Sequence, residues 1–319
     1  MTSTTLVSGI CPVIETPFTA EGEVDFASFE RLIDHLLNAG VRQVMFPGFA
    51  SEFYKLRESE RAQLAQTLIT RFHRMPGTTV VISIPDHSTR IAAENARLAV
   101  EQGADMINIL PPHQFAPSAA AVRAHLDAVL AEIGETPAIL QYAPAQTGTA
   151  LDAATIAGIA VTSPNLVQVK VESAPPGQLI SALAAQHPQL GSIVGYAGVQ
   201  LIDALRRGAV AVQPGCSFAE LYLEIWRLWQ LGEQQLAIEL HTRMLPYLSY
   251  WMHSVELIVR AEKLISQRRG LIESDHCRAP ARELDAEEIA MVERFLEEFA
   301  EYLPGVRGLP VVGANEAAR

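Results

Sequence analysis

Lysine is nearly missing from this chain: Lys55, Lys170 and Lys263 are the three among 319 residues, against twenty-one arginines. Chemistry that needs a side-chain amine therefore has few places to occur. Cysteine is as sparse, and Cys11, Cys216 and Cys277 stand far apart in neither CxxC nor Cys/His spacing. Neither a disulfide framework nor a structural zinc site is expected, and a reducing cytoplasm fits this usage. No stretch reaches the roughly 18 uninterrupted apolar residues of a membrane span, and the opening MTSTTLVSGICPVIETPF has no basic n-region, so secretion and membrane insertion are not expected. Positive charge is also short. A formal net charge of −12 argues against a broad basic footprint for nucleic acid or an anionic membrane. What is present is 49% hydrophobic and 19% charged, the composition of a globular protein with ample core material.

Short β-rich runs recur at Ile10–Ile14, Gln43–Phe46, Thr79–Ile84, Met106–Leu110, Ala138–Tyr142, Leu166–Val171, Ser192–Gly195 and Ala209–Gln213. Amphipathic segments lie between them, among them Phe26–Ala39, Glu58–Phe72, Ile91–Gln102 and Ala120–Ile133. Strand alternating with helix implies parallel strands joined by helical crossovers, and eight such units predict a closed (β/α)8 TIM barrel of the α/β class. A doubly wound open sheet is the structural rival. It loses ground because no GxGxxG turn follows the first strand, whose sequel is Thr16-Pro17-Phe18. From Ser217 onward the pattern is helical, in Glu220–Leu231, Gln234–Met252, Ser254–Arg269 and Asp285–Tyr302. The expected organisation is a barrel over 1–216, a C-terminal helical appendage over 217–303 packed on the barrel, and a flexible tail over 304–319.

Lys170 is the odd residue. In Leu166-Val167-Gln168-Val169-Lys170-Val171 the valines share one strand face and Leu166, Gln168 and Lys170 the other. The valine face suits outer helices, which turns Lys170 into the barrel near the C-terminal end of its strand, where barrel active sites open. Burial disfavours the ammonium and lowers a lysine from its usual pKa of about 10.4, giving an amine able to attack a carbonyl. A structural ion pair, for instance with Glu172, explains the position equally well. Lys55 in a loop and Lys263 in a C-terminal helix read as solvated or ion-paired. Tyr142 ends the fifth strand, with Ala138 and Leu140 on its face and Ile139 and Gln141 on the other. A phenol at the mouth can shuttle protons, and a rim tyrosine packed on a loop is the alternative.

These residues belong to a larger pattern. Gly9-Ile10 with Thr16-Pro17-Phe18, Gly48-Phe49-Ala50-Ser51-Glu52, Tyr142 with Thr147-Gly148, and Val169-Lys170-Val171-Glu172 follow one another in order. Asp203-Ala204-Leu205-Arg206-Arg207-Gly208-Ala209 and Arg278-Ala279-Pro280 come later. In this order and spacing the chain resembles the dihydrodipicolinate synthase and N-acetylneuraminate lyase family of Schiff-base aldolases. The resemblance implies that Lys170 forms an imine with a 2-oxo acid, usually pyruvate, that Tyr142 relays protons, and that Phe49, Ala50 and Ser51 hold the oxo-acid carboxylate. It also implies a homotetramer or homodimer, with no cofactor beyond the lysine imine.

The chain departs from the family's pattern at several places. Phe49 and Ala50 stand at the hydroxyl positions of Gly-Thr-Thr-Gly-Glu, and Ser51 at its second glycine. Tyr-Asn-Val-Pro is shortened to Tyr142-Ala143-Pro144, and Gln146 occupies the place of the arginine that binds a second substrate's carboxylate in the synthases. His113-Gln114 replaces a tyrosine pair. His113 is a candidate acid or base, or a rim histidine. Asp86-His87 reads as a hydroxyl-binding pair, or as helix capping by Asp86 or Ser88. Gly195 and Tyr196 are expected to line the acceptor wall, though glycine there also suits a tight turn. No metal is expected, since no ligand spacing is visible and the imine supplies the electron sink. The sequence therefore reads as a class I aldolase or lyase acting on a 2-oxo acid and an aldehyde partner, and not as a true dihydrodipicolinate synthase. A sugar-acid dehydratase or hydratase using the same imine is the first rival, and a non-catalytic oxo-acid-binding regulator the second.

Overall fold

The computed structural model describes residues 6–148 and 150–305. Eight parallel strands form one sheet: β1 (Gly9–Ile10), β2 (Gln43–Phe46), β3 (Thr79–Ile84), β4 (Met106–Ile109), β5 (Ala138–Tyr142), β6 (Leu166–Val171), β7 (Gly191–Val194) and β8 (Ala211–Val212), in the order β1-β8-β7-β6-β5-β4-β3-β2. The ring closes where Val13 bridges Met45 and the Met45 N–H donates to the Pro12 carbonyl at 3.0 Å. Helices α1 (Phe26–Ala39), α2 (Glu58–Phe72), α3 (Thr89–Glu101), α4 (Ala119–Glu132), α5 (Pro144–Thr147), α6 (Ala153–Thr162), α7 (Gly177–Gln186) and α8 (Leu201–Arg206) alternate with the strands. Past β8 come α9 (Ala219–Gln230), α10 (Gln234–Trp251), α11 (Val255–Arg268) and α12 (Ala286–Glu298). This is a (β/α)8 barrel with C-terminal helices, as the alternation predicts.

The residues fall into two compact units. One carries all the strands and consists of the chain up to Val13, Arg42–Gly48 and Ala65–Pro214; the other consists of Ile14–Val41, Phe49–Leu64 and the chain from Gly215 on. Inside the first unit, strand alternation packs valine and isoleucine on one face and leaves a polar ladder on the other. Gln168 seals the ladder's lower end by bonding both backbone groups of Val7, each at 2.8 Å. The second unit has an aromatic core in which Phe295 meets Phe218, Trp251 and Phe299 at ring separations of 5.1, 5.2 and 4.9 Å. Trp251 is fully buried in it.

Several expected boundaries move. The first strand is confined to Gly9–Ile10 rather than Ile10–Ile14, because Pro12 has no N–H to continue the ladder. The eighth shortens to Ala211–Val212, pairing with those same two residues of β1. Of the expected tail, 306–319 lie outside the described residues. Among the described residues no helix is long and apolar enough to cross a membrane.

Candidate active site

Within the first unit Lys170 lies on the interior face of β6, 4% exposed. Its amine sits 3.2 Å from Glu172 Oε1. Residues two apart on an extended chain share a face, so a Lys-x-Glu pattern brings amine and carboxylate together. The other carboxylate oxygen accepts from Gln141 Nε2 at 2.7 Å. Gln141 Oε1 accepts from Asn108 Nδ2 at 2.9 Å, and that amide also reaches Ser83 Oγ at 2.8 Å. A buried polar line thus crosses β3, β4, β5 and β6 and ends on the carboxylate beside Lys170. Buried polar groups need such partners, and a chain of them fixes the last member's orientation.

Sequence reasoning missed most of this line. The decisive signal is register: Gln141 stands opposite Lys170, and Tyr142 opposite Val171. Gln141 therefore shares the lysine's face, while Tyr142 takes the alternate one at the strand end. Tyr142 is buried, and burial holds its phenol above the ordinary value, with Asp152 adding to the rise and the Leu151 backbone opposing it.

The rim beyond β7 is shaped around Glu172. A Cβ on Gly195 would collide with the Glu172 side chain, so glycine there makes room for the carboxylate besides turning the chain. Tyr196 and Ala197 both adopt left-handed backbone, φ 49° each, a conformation uncommon outside glycine and concentrated at functional sites. The Tyr196 N–H points at Glu172 Oε1 from 3.5 Å, and its hydroxyl donates to Gln146 Oε1 at 2.9 Å. Gln146, where the resemblance expects arginine, thus forms a neutral pair with the tyrosine of the β7 rim.

Past β4, His113 and His87 meet edge to face at 6.2 Å, and the exposed Gln114 donates its backbone N–H to His87 Nδ1 at 3.3 Å. Burial lowers the His113 pKa, with the neighbouring His87 contributing. The candidate cap is of a different kind: Ser88 occupies the N-cap position of α3 without a side-chain capping bond, and Asp86 accepts from Asn95 instead.

In the second unit, Phe49–Ser51 form a 3₁₀ turn directly after β2 in sequence. The Ser51 hydroxyl donates to the Ile14 carbonyl at 2.5 Å, and Thr16 Oγ1 donates to the Ser51 carbonyl at 2.7 Å. Phe49 packs against Phe53, 5.4 Å between rings. Lys55 is ion-paired with Glu52 and Glu256, each at 3.0 Å. Lys263, whose helix leaves a solvated or an ion-paired role open, is fully buried: its amine pairs with Glu52 at 2.5 Å, donates to the His276 carbonyl at 2.9 Å and lies 4.2 Å from the Phe18 ring centre. Glu15 and Glu262 are also buried in this unit, and desolvation raises Glu15 to about 7 and Glu262 to about 8. Among the described residues no cluster of three or more His, Cys, Asp or Glu is arranged to hold a metal ion.

A parallel (β/α)8 barrel carrying a buried strand-six lysine defines a class of protein in which an interior amine is placed against a carboxylate. The model of the Dihydrodipicolinate synthetase family matches residues 6–299, and the chain belongs to that family. It is 27% identical over 303 residues to the putative 2-dehydro-3-deoxy-D-gluconate aldolase YagE of Escherichia coli (strain K12), covering 93% of this chain and 99% of that protein. To L-2-keto-3-deoxyarabonate dehydratase of Azospirillum brasilense it is 26% identical over 281 residues, covering 86% and 89%. Among solved structures, that of YagE from E. coli K12 in complex with pyruvate matches with a TM-score of 0.83 at 26% identity, over 93% of this chain and 99% of that one. A putative dihydrodipicolinate synthetase from Pseudomonas aeruginosa shares the fold with a TM-score of 0.85 at 23% identity, over 92% and 99%.

Proposed function

We propose that this protein is a class I aldolase or lyase that acts on pyruvate or another 2-oxo acid through an imine on Lys170. The amine attacks the C2 ketone, the carbinolamine loses water, and the iminium draws electrons from the adjacent bond, so that a C–C bond breaks or forms by way of an enamine. The observation that carries this reading is the Lys170 amine on the barrel's interior face, buried beside the Glu172 carboxylate. Family membership supports it.

Tyr142 is assigned the proton relay. Its raised phenol pKa keeps it protonated near neutrality, ready to donate to the carbinolamine or to a developing oxyanion. Phe49, Ala50 and Ser51 are assigned the oxo-acid carboxylate on the family resemblance. His113, Gln114, Gln146 and Gly195 are assigned the acceptor. The neutral Gln146–Tyr196 pair favours an uncharged, hydroxylated aldehyde over one bearing a carboxylate, which sets this protein apart from the synthases. The iminium supplies the electron sink, so activity is expected to survive exhaustive chelation. On family grounds we also assign the protein to the cytoplasm as a homotetramer or homodimer.

Dehydration is the second reading, because a relative named as a dehydratase is about as similar as one named as an aldolase. Both run through the same imine, and product analysis separates them. The test of the shared step is borohydride trapping across a panel of 2-oxo acids: one reduced adduct is expected, at Lys170. An adduct mapped to Lys55 or Lys263 sinks the assignment.

A further inference from the structure

Glu172 is held more tightly than an ion-pair partner requires. One oxygen, Oε2, is pinned by the Gln141 amide, itself fixed through Asn108 and Ser83. The other, Oε1, is left facing Lys170 Nζ at 3.2 Å and the Tyr196 N–H at 3.5 Å. Space for the side chain exists because residue 195 has no Cβ, and the next two residues accept left-handed backbone as the rim turns past it. Glu172 as a residue is 7% exposed, so its carboxylate is largely withdrawn from water.

In an iminium on Lys170 the former ketone carbon is bonded to Nζ, and C3 is the next atom along. A carboxylate oxygen at hydrogen-bond distance from Nζ is therefore within reach of a hydrogen on C3, the hydrogen that must leave for an enamine to form. We infer that Glu172 is the base that removes the C3 proton from the Lys170 iminium and returns it in the reverse direction. The C3–H bond breaks and its electron pair becomes the C2=C3 double bond. The C=N π pair returns to nitrogen as a lone pair, and the proton rests on Oε1. Both aldol condensation and dehydration of a 3-deoxy sugar acid need this transfer. The substrate class it implies is a 2-oxo acid with at least one hydrogen on C3.

This inference rests on the Lys170 imine, and one experiment separates the two. Pyruvate is incubated with the enzyme in D₂O without an aldehyde, and loss of its methyl signal is followed by proton NMR alongside borohydride trapping. Wild type should exchange its methyl hydrogens. Glu172→Gln should slow exchange by about 10²-fold or more, the usual scale for a general base, while still yielding the Lys170 adduct. Glu172→Asp should keep part of the exchange. Gly195→Ala, whose methyl displaces the carboxylate, should lose exchange and keep the adduct, and it supplies an independent measurement should Glu172→Gln fail to fold. Exchange at the wild-type rate in Glu172→Gln or Gly195→Ala overturns the role of Glu172 with the imine intact. Absence of any Lys170 adduct in wild type overturns the imine and the base together.

Discussion

Lys263 on α11 and Lys170 on β6 are both withdrawn from water, yet their surroundings differ atom by atom. The Lys263 amine is enclosed by a carboxylate, a backbone carbonyl and an aromatic face, supplied by Glu52, His276 and Phe18. Its donors are committed and its charge is matched. The Lys170 amine has Glu172 as its ion-pair partner among the described residues, and that carboxylate is itself steered from the far side by Gln141. Burial alone thus says little about a lysine's purpose. A fully enclosed ammonium is a structural fixture, whereas a buried amine with a single ion-pair partner keeps a side open to a carbonyl.

Deleting each lysine in turn should have the largest effect. Lys170→Ala should abolish the borohydride adduct and turnover, and should also lower Tm because the buried Glu172 loses its cation. Lys263→Met should keep the adduct but remove one of the two cations that pair with the buried Glu52, Lys55 being the other, at a cost of about 3 kcal/mol in stability. Chemical denaturation and mass spectrometry of the trapped protein measure both. An adduct that survives Lys170→Ala places the imine on another lysine.

Tyr142→Phe should come next in size, lowering turnover by about 10²-fold with the fold intact. Steady-state kinetics decide. Near wild-type activity moves the relay to His113, whose pKa is lowered mainly by burial and which therefore remains neutral and able to accept a proton.

The barrel is legible in the sequence because β/α alternation is a repeated signal, and Lys170 because period-two alternation sorts a strand's residues by face. Glu172 follows by the same rule. Gln141 does not, because its face depends on the register between β5 and β6, which shifts between Ala138 and Ile139, and no single strand's pattern contains that. The sequence leaves Lys263 open between solvent and an ion pair for a related reason. Its helix shows an amphipathic stripe, but the partners enclosing its amine come from Glu52, His276 and Phe18, far apart in the chain.

A smaller effect is expected at the acceptor. Loss of a charge-assisted contact weakens a carboxylate-bearing aldehyde by about 1.5 to 3 kcal/mol, or roughly tenfold to over a hundredfold. Gln146 forms a neutral pair with Tyr196, so kcat/KM with pyruvate and neutral hydroxylated aldehydes should exceed that with aspartate semialdehyde, and Gln146→Arg should narrow the gap. Efficient condensation with the semialdehyde, above every neutral aldehyde tested, would remove the distinction from the synthases.

The smallest effect is expected with pH, in the unit that holds Lys263. Burial is the main cause that raises Glu262 to about 8 and Glu15 to about 7, with Ser217 opposing at Glu262 and Ser266 and Lys263 opposing at Glu15. Unfolding returns both to about 4.3. Between those values the folded protein holds protons that the unfolded chain has released, so their contribution to stability is complete below about pH 4.3 and is lost as pH rises through 7 and 8. His125, lowered to about 4 chiefly by burial, works in the opposite direction, but its contribution is complete above its unfolded value of about 6.5. The buried thiols, with pKa raised by burial, lie above the window on the other side. From pH 6.5 to 8 the two carboxyls therefore dominate, and stability should fall by about 1.4 kcal/mol per pH step for each group still holding its proton. Calorimetric Tm should drop by a few degrees across this range in wild type and by less in Glu262→Gln, which keeps a carbonyl for the Ser217 hydroxyl but has no proton to lose. Borohydride trapping at Lys170 should be unaffected by that substitution. Parallel Tm curves for the two proteins would show that Glu262 does not titrate in this window, and reduced trapping would show that the two buried regions are not as separate in purpose as their lysines indicate.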